Sequence, residues 1–342
     1  MHTYPGKSAA GLTCVFALAV TGCSAGSDDG TADAAPPSRS ASQNASQSAS
    51  SSTSYAPYVS ATEASAYDSA GSPATYNLAF VIADGSDCTP KWNGTTALSD
   101  AAVKSRIAKL TQDGATVRVS FGGASGKELA ASCDSASRLA EAYGKALDAA
   151  GSSQADFDIE GDELTDSDSV DLRSEAIALL QKERGGLEVS FTLPVMPSGL
   201  DDDSVALLES ANEHDVQVST VNIMTMNYGE SYTGDMGDYA VTSAKATHSQ
   251  LKEIFGTSDA TAWKAMALTS MLGVNDVDNE TFSLDDAAQV REFAEEKGVG
   301  WVSMWATFRD QECGDDSSSD DALTNCSGVG QENGAFAEAF SG

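Results

Sequence analysis

Positive charge is scarce in this chain: 19 Lys and Arg residues stand against 51 Asp and Glu, a formal net charge of −32. So acidic a surface repels phosphate backbones, and nucleic acid is excluded as an expected partner. Histidine is rarer still. His2, His214 and His248 lie far apart and no cysteine pair has CxxC spacing, so neither a zinc cluster nor a redox dithiol is expected. No metal and no cofactor enter the reading. A Gly-rich phosphate loop after an early strand is also missing, which counts against an open doubly wound sheet. There is no internal repeat, and no later apolar run approaches the length of a membrane span. What the 342 residues do contain is a 41% hydrophobic share, enough for a packed core in one large domain or two modest ones.

The first residues read as a targeting segment. Lys7 precedes an apolar run from Leu12 to Val20, too short to cross a bilayer. The run ends in Val20-Thr21-Gly22-Cys23, which resembles the lipobox of bacterial lipoproteins and implies lipid on Cys23 at residues 1–23. Export is expected whether or not that cysteine is modified, with the protein held on the outer face of the cell membrane or secreted. Residues 24–54 are rich in Ser, Ala, Gln, Asp, Gly and Pro and lack apolar periodicity. Such a segment cannot offset its own ordering entropy, so a tether is expected there. That leaves residues 55–342 as the folded part. With Cys14 and Cys23 set aside, Cys88, Cys133, Cys313 and Cys326 remain, and an even number in an exported chain favours disulfides. Of three connectivities, Cys88–Cys133 with Cys313–Cys326 is favoured, because the second closes a short acidic loop that has little else to hold it.

Strand and helix patterns alternate from about Tyr55 onwards. Strands are expected at Tyr55–Ser60, Tyr76–Ala83, Val117–Phe121, Ala155–Ile159, Leu187–Leu193, Val218–Met226, Ala265–Met271 and Gly300–Trp305. The second, YNLAFVIA, is nearly all apolar, as a strand covered on both faces should be. Helical stripes fall between them: one capped at Ser99 or Asp100 with Val103, Ile107 and Leu110, one with Leu139, Tyr143 and Leu147 closed by Gly151, and others at Val170–Leu180, Ser204–Asn212, Ser249–Phe255 and Leu284–Glu296. Eight strands with intervening helices predict an α/β fold, a (β/α)8 barrel.

In such a barrel, functional groups gather where strands end. The fourth strand reads Ala155-Asp156-Phe157-Asp158-Ile159-Glu160. Side chains alternate faces along a strand, so Asp156, Asp158 and Glu160 share one side while Phe157 and Ile159 face the helices. Three acids aimed at a barrel axis must share protons and hydrogen bonds to be tolerated. Asp156 and Asp158 are expected to share a proton, leaving Glu160, nearest the mouth, protonated and suited to general-acid work.

This block resembles the DxxDxDxE signature of family 18 glycoside hydrolases, above all the bacterial chitinase D-like branch. Ser120-Phe121-Gly122-Gly123 resembles that family's SxGG element, Met224-Thr225-Met226-Asn227-Tyr228 its sixth-strand element, and Ser303-Met304-Trp305 the strand carrying the sugar-stacking tryptophan. The motifs fall in order on strands three, four, six and eight, across most of Tyr55 to Cys313. The resemblance implies retaining, substrate-assisted hydrolysis of chitin or other N-acetylglucosamine glycans. Glu160 would protonate the glycosidic oxygen, Asp158 would hold the acetamido nitrogen of an oxazolinium ion, and Asp156 would hold Asp158. Tyr228, facing inward with Met224 and Met226, would bond the acetamido oxygen. Trp305 would stack under the sugar, with Met226, Asn227, Ser120 and Gly122 also against substrate.

Two positions depart from the family pattern. Ser153 stands where its first Asp falls, and Asn227 where an acid often lies beside the sixth-strand Tyr. Activity is therefore expected to be lowered or redirected, which keeps open a tethered glycan-binding protein; an endoglycosidase acting on N-linked glycans, which would use the same acids, is a further alternative. Trp92 is either an extra sugar platform or loop packing; Trp263 and Trp301 are expected between helices and strands, and Arg309 with Asp310 as an ion pair. A monomer is expected, touching a membrane only through a lipid on Cys23.

Overall fold

Proline at position 57 splits the first strand, and the split closes the barrel. The computed structural model describes residues 53–342; Cys14, Cys23 and the expected tether as far as residue 52 lie outside the described residues. The two halves of β1 are Ser54–Tyr55 and Tyr58–Ser60. The first pairs with the last strand and the second with the next, both in parallel. Pro57 has no N–H to offer a ladder, but its carbonyl accepts from Asn77 N at 2.9 Å while Ala56 N reaches Val302 O at 2.9 Å.

The chain then runs β2 (Thr75–Asp84), α1 (Ala101–Leu110), β3 (Thr116–Gly122), α2 (Ala136–Ala150), β4 (Gln154–Asp158), α3 (Asp162–Thr165), α4 (Ser167–Glu183), β5 (Glu188–Pro194), α5 (Asp202–Glu213), β6 (Val218–Met224), α6 (Met236–Phe255), α7 (Asp259–Lys264), β7 (Met266–Met271), α8 (Leu284–Lys297), β8 (Trp301–Trp305), α9 (Ser319–Thr324) and α10 (Ala335–Ser341). All neighbours around the ring of eight are parallel. The expected (β/α)8 barrel is the fold.

Outward residues of the strands make the main core. Phe157 stacks 5.3 Å from Phe121, lies tilted 5.7 Å from Phe191, and meets Tyr143 of α2 edge-on at 5.0 Å. Inward residues are mostly polar and satisfy one another. Thr269 Oγ1 donates to Asn222 Oδ1 at 2.9 Å, and Asn222 Nδ2 donates to Thr192 Oγ1 at 2.9 Å. Deeper down, Arg118 donates to Asn77 at 2.6 Å and lies 4.7 Å over the Trp301 ring. Trp301 therefore fills the barrel interior, a correction to its expected place between helices and strands: it shares the parity of Ser303 and Trp305.

Several other expectations change. The helix expected at 249–255 is α6, twenty residues long, started by Asp235. Its first half carries Thr242 and Ser243, residues of modest helix propensity, and packing of Met236, Ala240 and Ala244 overrides that preference. The loop after β2 is a hairpin, Asp87–Trp92 with Thr96–Ala97, and Trp92 is fully buried in it, which removes it as a sugar platform. Trp263 stacks 3.9 Å from His248 of α6, in the helical layer as expected. Arg309 and Asp310 do not pair. Arg309 donates to the carbonyls of Val274 and Ala322 at 2.6 and 2.7 Å, while Asp310 accepts from the N–H groups of Phe336 and Ala337 and so starts α10. The short strand turns and the α10 segment are buried by contacts that no local periodicity announces. Both favoured disulfides, Cys88–Cys133 and Cys313–Cys326, are present.

Candidate active site

Asp156 lies deepest of the three acids, completely buried, and its two oxygens collect four hydroxyl hydrogen bonds. Tyr58 and Ser120 donate to Oδ2 at 2.9 and 2.7 Å, Ser190 and Thr192 to Oδ1 at 2.7 and 2.8 Å. These donors come from β1, β3 and β5, the strands flanking β4 and one across the barrel. No bond links Asp156 to Asp158, so the expected sharing of a proton between them is not the resting arrangement: hydroxyls have taken the available lone pairs.

Asp158 stands two residues higher, 5% exposed, with Oδ1 buried and free of any hydrogen-bond partner. Burial holds its carboxyl well above the usual carboxylate range, and the charges of Glu160 and Asp156 push the same way. Glu160 follows the end of the strand, half-buried. Burial raises its pKa, and the nearby Asp276 carboxylate adds to the rise. Both acids open into a cavity of about 310 Å³, at the small end of the range for ligand pockets. Tyr58, Phe80, Thr192, Met226, Asn227 and Trp305 line it with them. Phe80 stacks 5.5 Å from Trp305, and Tyr58 meets the Trp305 edge at 5.8 Å.

The structure thus brings Glu160, Asp158, Trp305, Met226 and Asn227 to one cavity. Three expected site residues are placed otherwise. Ser120 is fully buried and donates to Asp156, away from the cavity. Gly122 serves the backbone: its φ is +97°, and a Cβ there would collide with the carbonyl oxygen of Asp158, whose oxygen accepts from Gly123 N at 2.9 Å. The SFGG segment therefore seats the acidic strand and does not line the cavity. Tyr228 is 3% exposed and turned towards Tyr232 and Tyr239, with ring centroids 5.9 and 5.6 Å away. The expected alternation fails because the strand ends at Met224 and Asn227 takes a φ of +55°. Tyr228 is not positioned to bond a sugar in the cavity.

Other lining residues escaped the sequence reading. Tyr58 sits at an inward position of a strand end and was legible in principle from alternation. Asp276 was not: it lies in the insertion between β7 and α8, where no periodicity operates.

No family model matches the chain. It is 34% identical over 275 residues to a probable bifunctional chitinase/lysozyme of Escherichia coli strain K12, taking in 75% of this chain and 31% of that protein. It is 33% identical over 275 residues to endochitinase 11 of Metarhizium anisopliae, taking in 75% of this chain and 52% of that protein. The chain thus spans only part of the length of these curated relatives. Among solved structures, the catalytic domain of a hyperthermophilic chitinase from Pyrococcus furiosus matches with a TM-score of 0.74 and 30% identity, over 84% of this chain and 93% of that one. A GH18 chitinase from Pseudoalteromonas aurantia shares the fold at 14% identity, with a TM-score of 0.55 over 74% of this chain and 94% of that one. On the ordered motifs, the acidic strand and this relatedness across nearly the whole of a solved chitinase domain, the chain belongs to the family 18 glycoside hydrolases, the chitinases.

Proposed function

We propose that this protein hydrolyses β-1,4 linkages in chitin or related N-acetylglucosamine glycans, with Glu160 as general acid. The observation that carries the reading is the pair of carboxyls, Asp158 and Glu160, opening into one cavity beside Trp305, both biased towards the protonated form by burial and neighbouring charge. The substrate class is supported by the names of the relatives and by a Pyrococcus furiosus chitinase domain solved with chito-oligosaccharides, 29% identical to this chain.

In this mechanism the Glu160 proton passes to the glycosidic oxygen as its bond to the anomeric carbon breaks. The 2-acetamido oxygen of the same sugar forms the replacing bond, giving an oxazolinium ion, so no second carboxylate nucleophile is needed. The positive charge that develops beside Asp158 favours its carboxylate form over the protonated one of the resting site, and Oδ1, which has no other partner, then accepts the acetamido N–H and balances that charge. Asp156 touches no sugar; its four hydroxyl bonds anchor the strand beneath Asp158. Water then attacks the anomeric carbon, with the Glu160 carboxylate taking its proton, and configuration is retained. Membership of the chitinase D-like branch, a domain boundary near residue 54, action as a monomer, and export with a lipid on Cys23 belong to the same proposal.

The test is release of soluble oligosaccharide from chitin, with an N-glycosylated protein assayed alongside. Wild type should release oligosaccharide and Glu160→Gln should not. Equal release by both would remove Glu160 as the acid. Chitin binding without release by wild type would favour a tethered lectin, a reading that Ser153 and Asn227 keep in view.

A further inference from the structure

The turn after the sixth strand carries an amide, Asn227, where an acid is often found, yet the same corner of the cavity is not without a carboxylate. Asn227 Nδ2 donates to Asp276 Oδ2 at 3.1 Å, and both residues line the cavity with Glu160. Asp276 does not hang from a free loop. It lies in the loop of the two-stranded hairpin that pairs Gly273–Val274 with Thr281–Phe282. Asn275, 3% exposed, ties this turn down by donating to the carbonyls of Met271 and Gly273 at 2.9 and 3.0 Å. Val274 N reaches Ser327 O at 2.7 Å, and Arg309 holds the Val274 carbonyl. The turn bearing Asn227 is fastened to the same hairpin, since Glu280 Oε1 accepts from Gly229 N at 2.7 Å. Two turns from different strands are thus bolted together with the Asn227–Asp276 bond at the cavity mouth.

We propose that Asp276, latched by Asn227, is a positioning residue for the Glu160 acid, supplying from the hairpin after β7 the carboxylate that β6 lacks. The inference rests on Glu160 being the proton donor. The charged and titratable groups around Glu160 are few: Asp158 and the deeper Asp156 on its own strand, Asp276 on the hairpin, Asp201 at the start of α5, and the Tyr58 hydroxyl from β1. Asp201 is engaged as the cap of α5, donated to by Ser204 N at 2.8 Å, and the Tyr58 hydroxyl gives its proton to Asp156. Among the described residues no cation lines the cavity; Arg309, bound to backbone carbonyls, is the cation near enough to feel the charge of Asp276. Among the described residues, Asp276 is therefore the carboxylate on a separate element that lines the cavity with Glu160 and caps no helix; Asn227 holds it in place, and its charge favours the protonated acid.

The experiment is the pH profile of kcat/KM on chitin oligomers for the full chain, comparing wild type, Asp276→Asn and Asn227→Ala. Losing the carboxylate lowers the pH at which Glu160 gives up its proton. The alkaline limb of Asp276→Asn should therefore move to lower pH, with a several-fold loss on that side and little change on the acidic side. Asn227→Ala frees Asp276 and should move the limb the same way by less. A purely structural hairpin residue would scale the whole profile down without moving the limb. A folded Asp276→Asn with an unmoved limb overturns the proposal. Carboxyl NMR titration of Glu160 in the same proteins reads the same shift without turnover, so the inference stands or falls even in a weakly active enzyme. Glu160→Gln separates the two levels: if it retains full activity the site reading itself fails, whereas an inactive Glu160→Gln beside an unmoved Asp276→Asn limb rejects only the role of Asp276.

Discussion

Replacing Gly122 with Ala should disable the enzyme more than it destabilises the fold. Gly122 has a φ of +97°, and a Cβ built there lies well inside contact with the Asp158 carbonyl oxygen and 3.4 Å from Glu128 Cγ. A left-handed backbone costs an L-residue about 1–2 kcal/mol, so the strain alone is modest. The contact is the larger problem, because the obstructing atom is backbone of β4 and no rotamer change relieves it. The two strands must part by about 1 Å, and a displacement of that size at a catalytic group is worth about 10²-fold in rate. Gly151 supplies the control. It closes α2 with a φ of +64° and has nothing within 4 Å of its would-be Cβ. Gly151→Ala carries the same kind of strain without the collision. Urea unfolding should show a larger loss of stability for Gly122→Ala than for Gly151→Ala, the difference being the cost of parting the strands, while turnover on chitin oligomers should fall about 10²-fold for Gly122→Ala alone. If Gly122→Ala loses no more turnover than Gly151→Ala, the glycine does not set the position of Asp158 and the reasoning is wrong.

Stability should respond to pH through the same acids. Burial and neighbouring charge raise the Asp158 and Glu160 pKa values in the folded protein. Between the usual carboxyl range and those raised values, the native state binds more protons than the unfolded one, so these two groups make stability fall as pH rises. Asp158→Asn removes the larger part of that effect: its urea midpoint should decline less from acidic to neutral pH than that of wild type, while activity is lost. An unchanged slope would contradict the assignment. For the N-terminal segment, wild type expressed in a bacterial host should incorporate labelled palmitate and partition with membranes, and Cys23→Ala should do neither. Labelling of the Ala variant would place the lipid elsewhere.

Strand positions were legible because apolar runs and alternation are local. On β4, the parity that aims Asp156, Asp158 and Glu160 inward and Phe157 and Ile159 outward follows from pleating alone, and the barrel has it so. The reading failed where alternation stopped. Beyond Met224 the chain turns through Asn227, and Tyr228, counted as inward, is buried among tyrosines. It also failed where residues distant in sequence supply the partners. The four hydroxyls on Asp156 come from three other elements, up to 98 residues away. SFGG had a turn-like composition, but its task of admitting the Asp158 carbonyl exists only once β3 lies beside β4.

The amino-acid order by itself determined the class of fold, the acidic ladder and its facing, because propensity, period and face alternation act within a few residues. Tertiary structure alone decided which groups meet Glu160 across the cavity, that Asp276 stands beside Asn227, and that Trp92 and Tyr228 are packing residues. Those outcomes depend on how separate βα units are set around the ring, and on insertions whose path is fixed by contacts with distant segments.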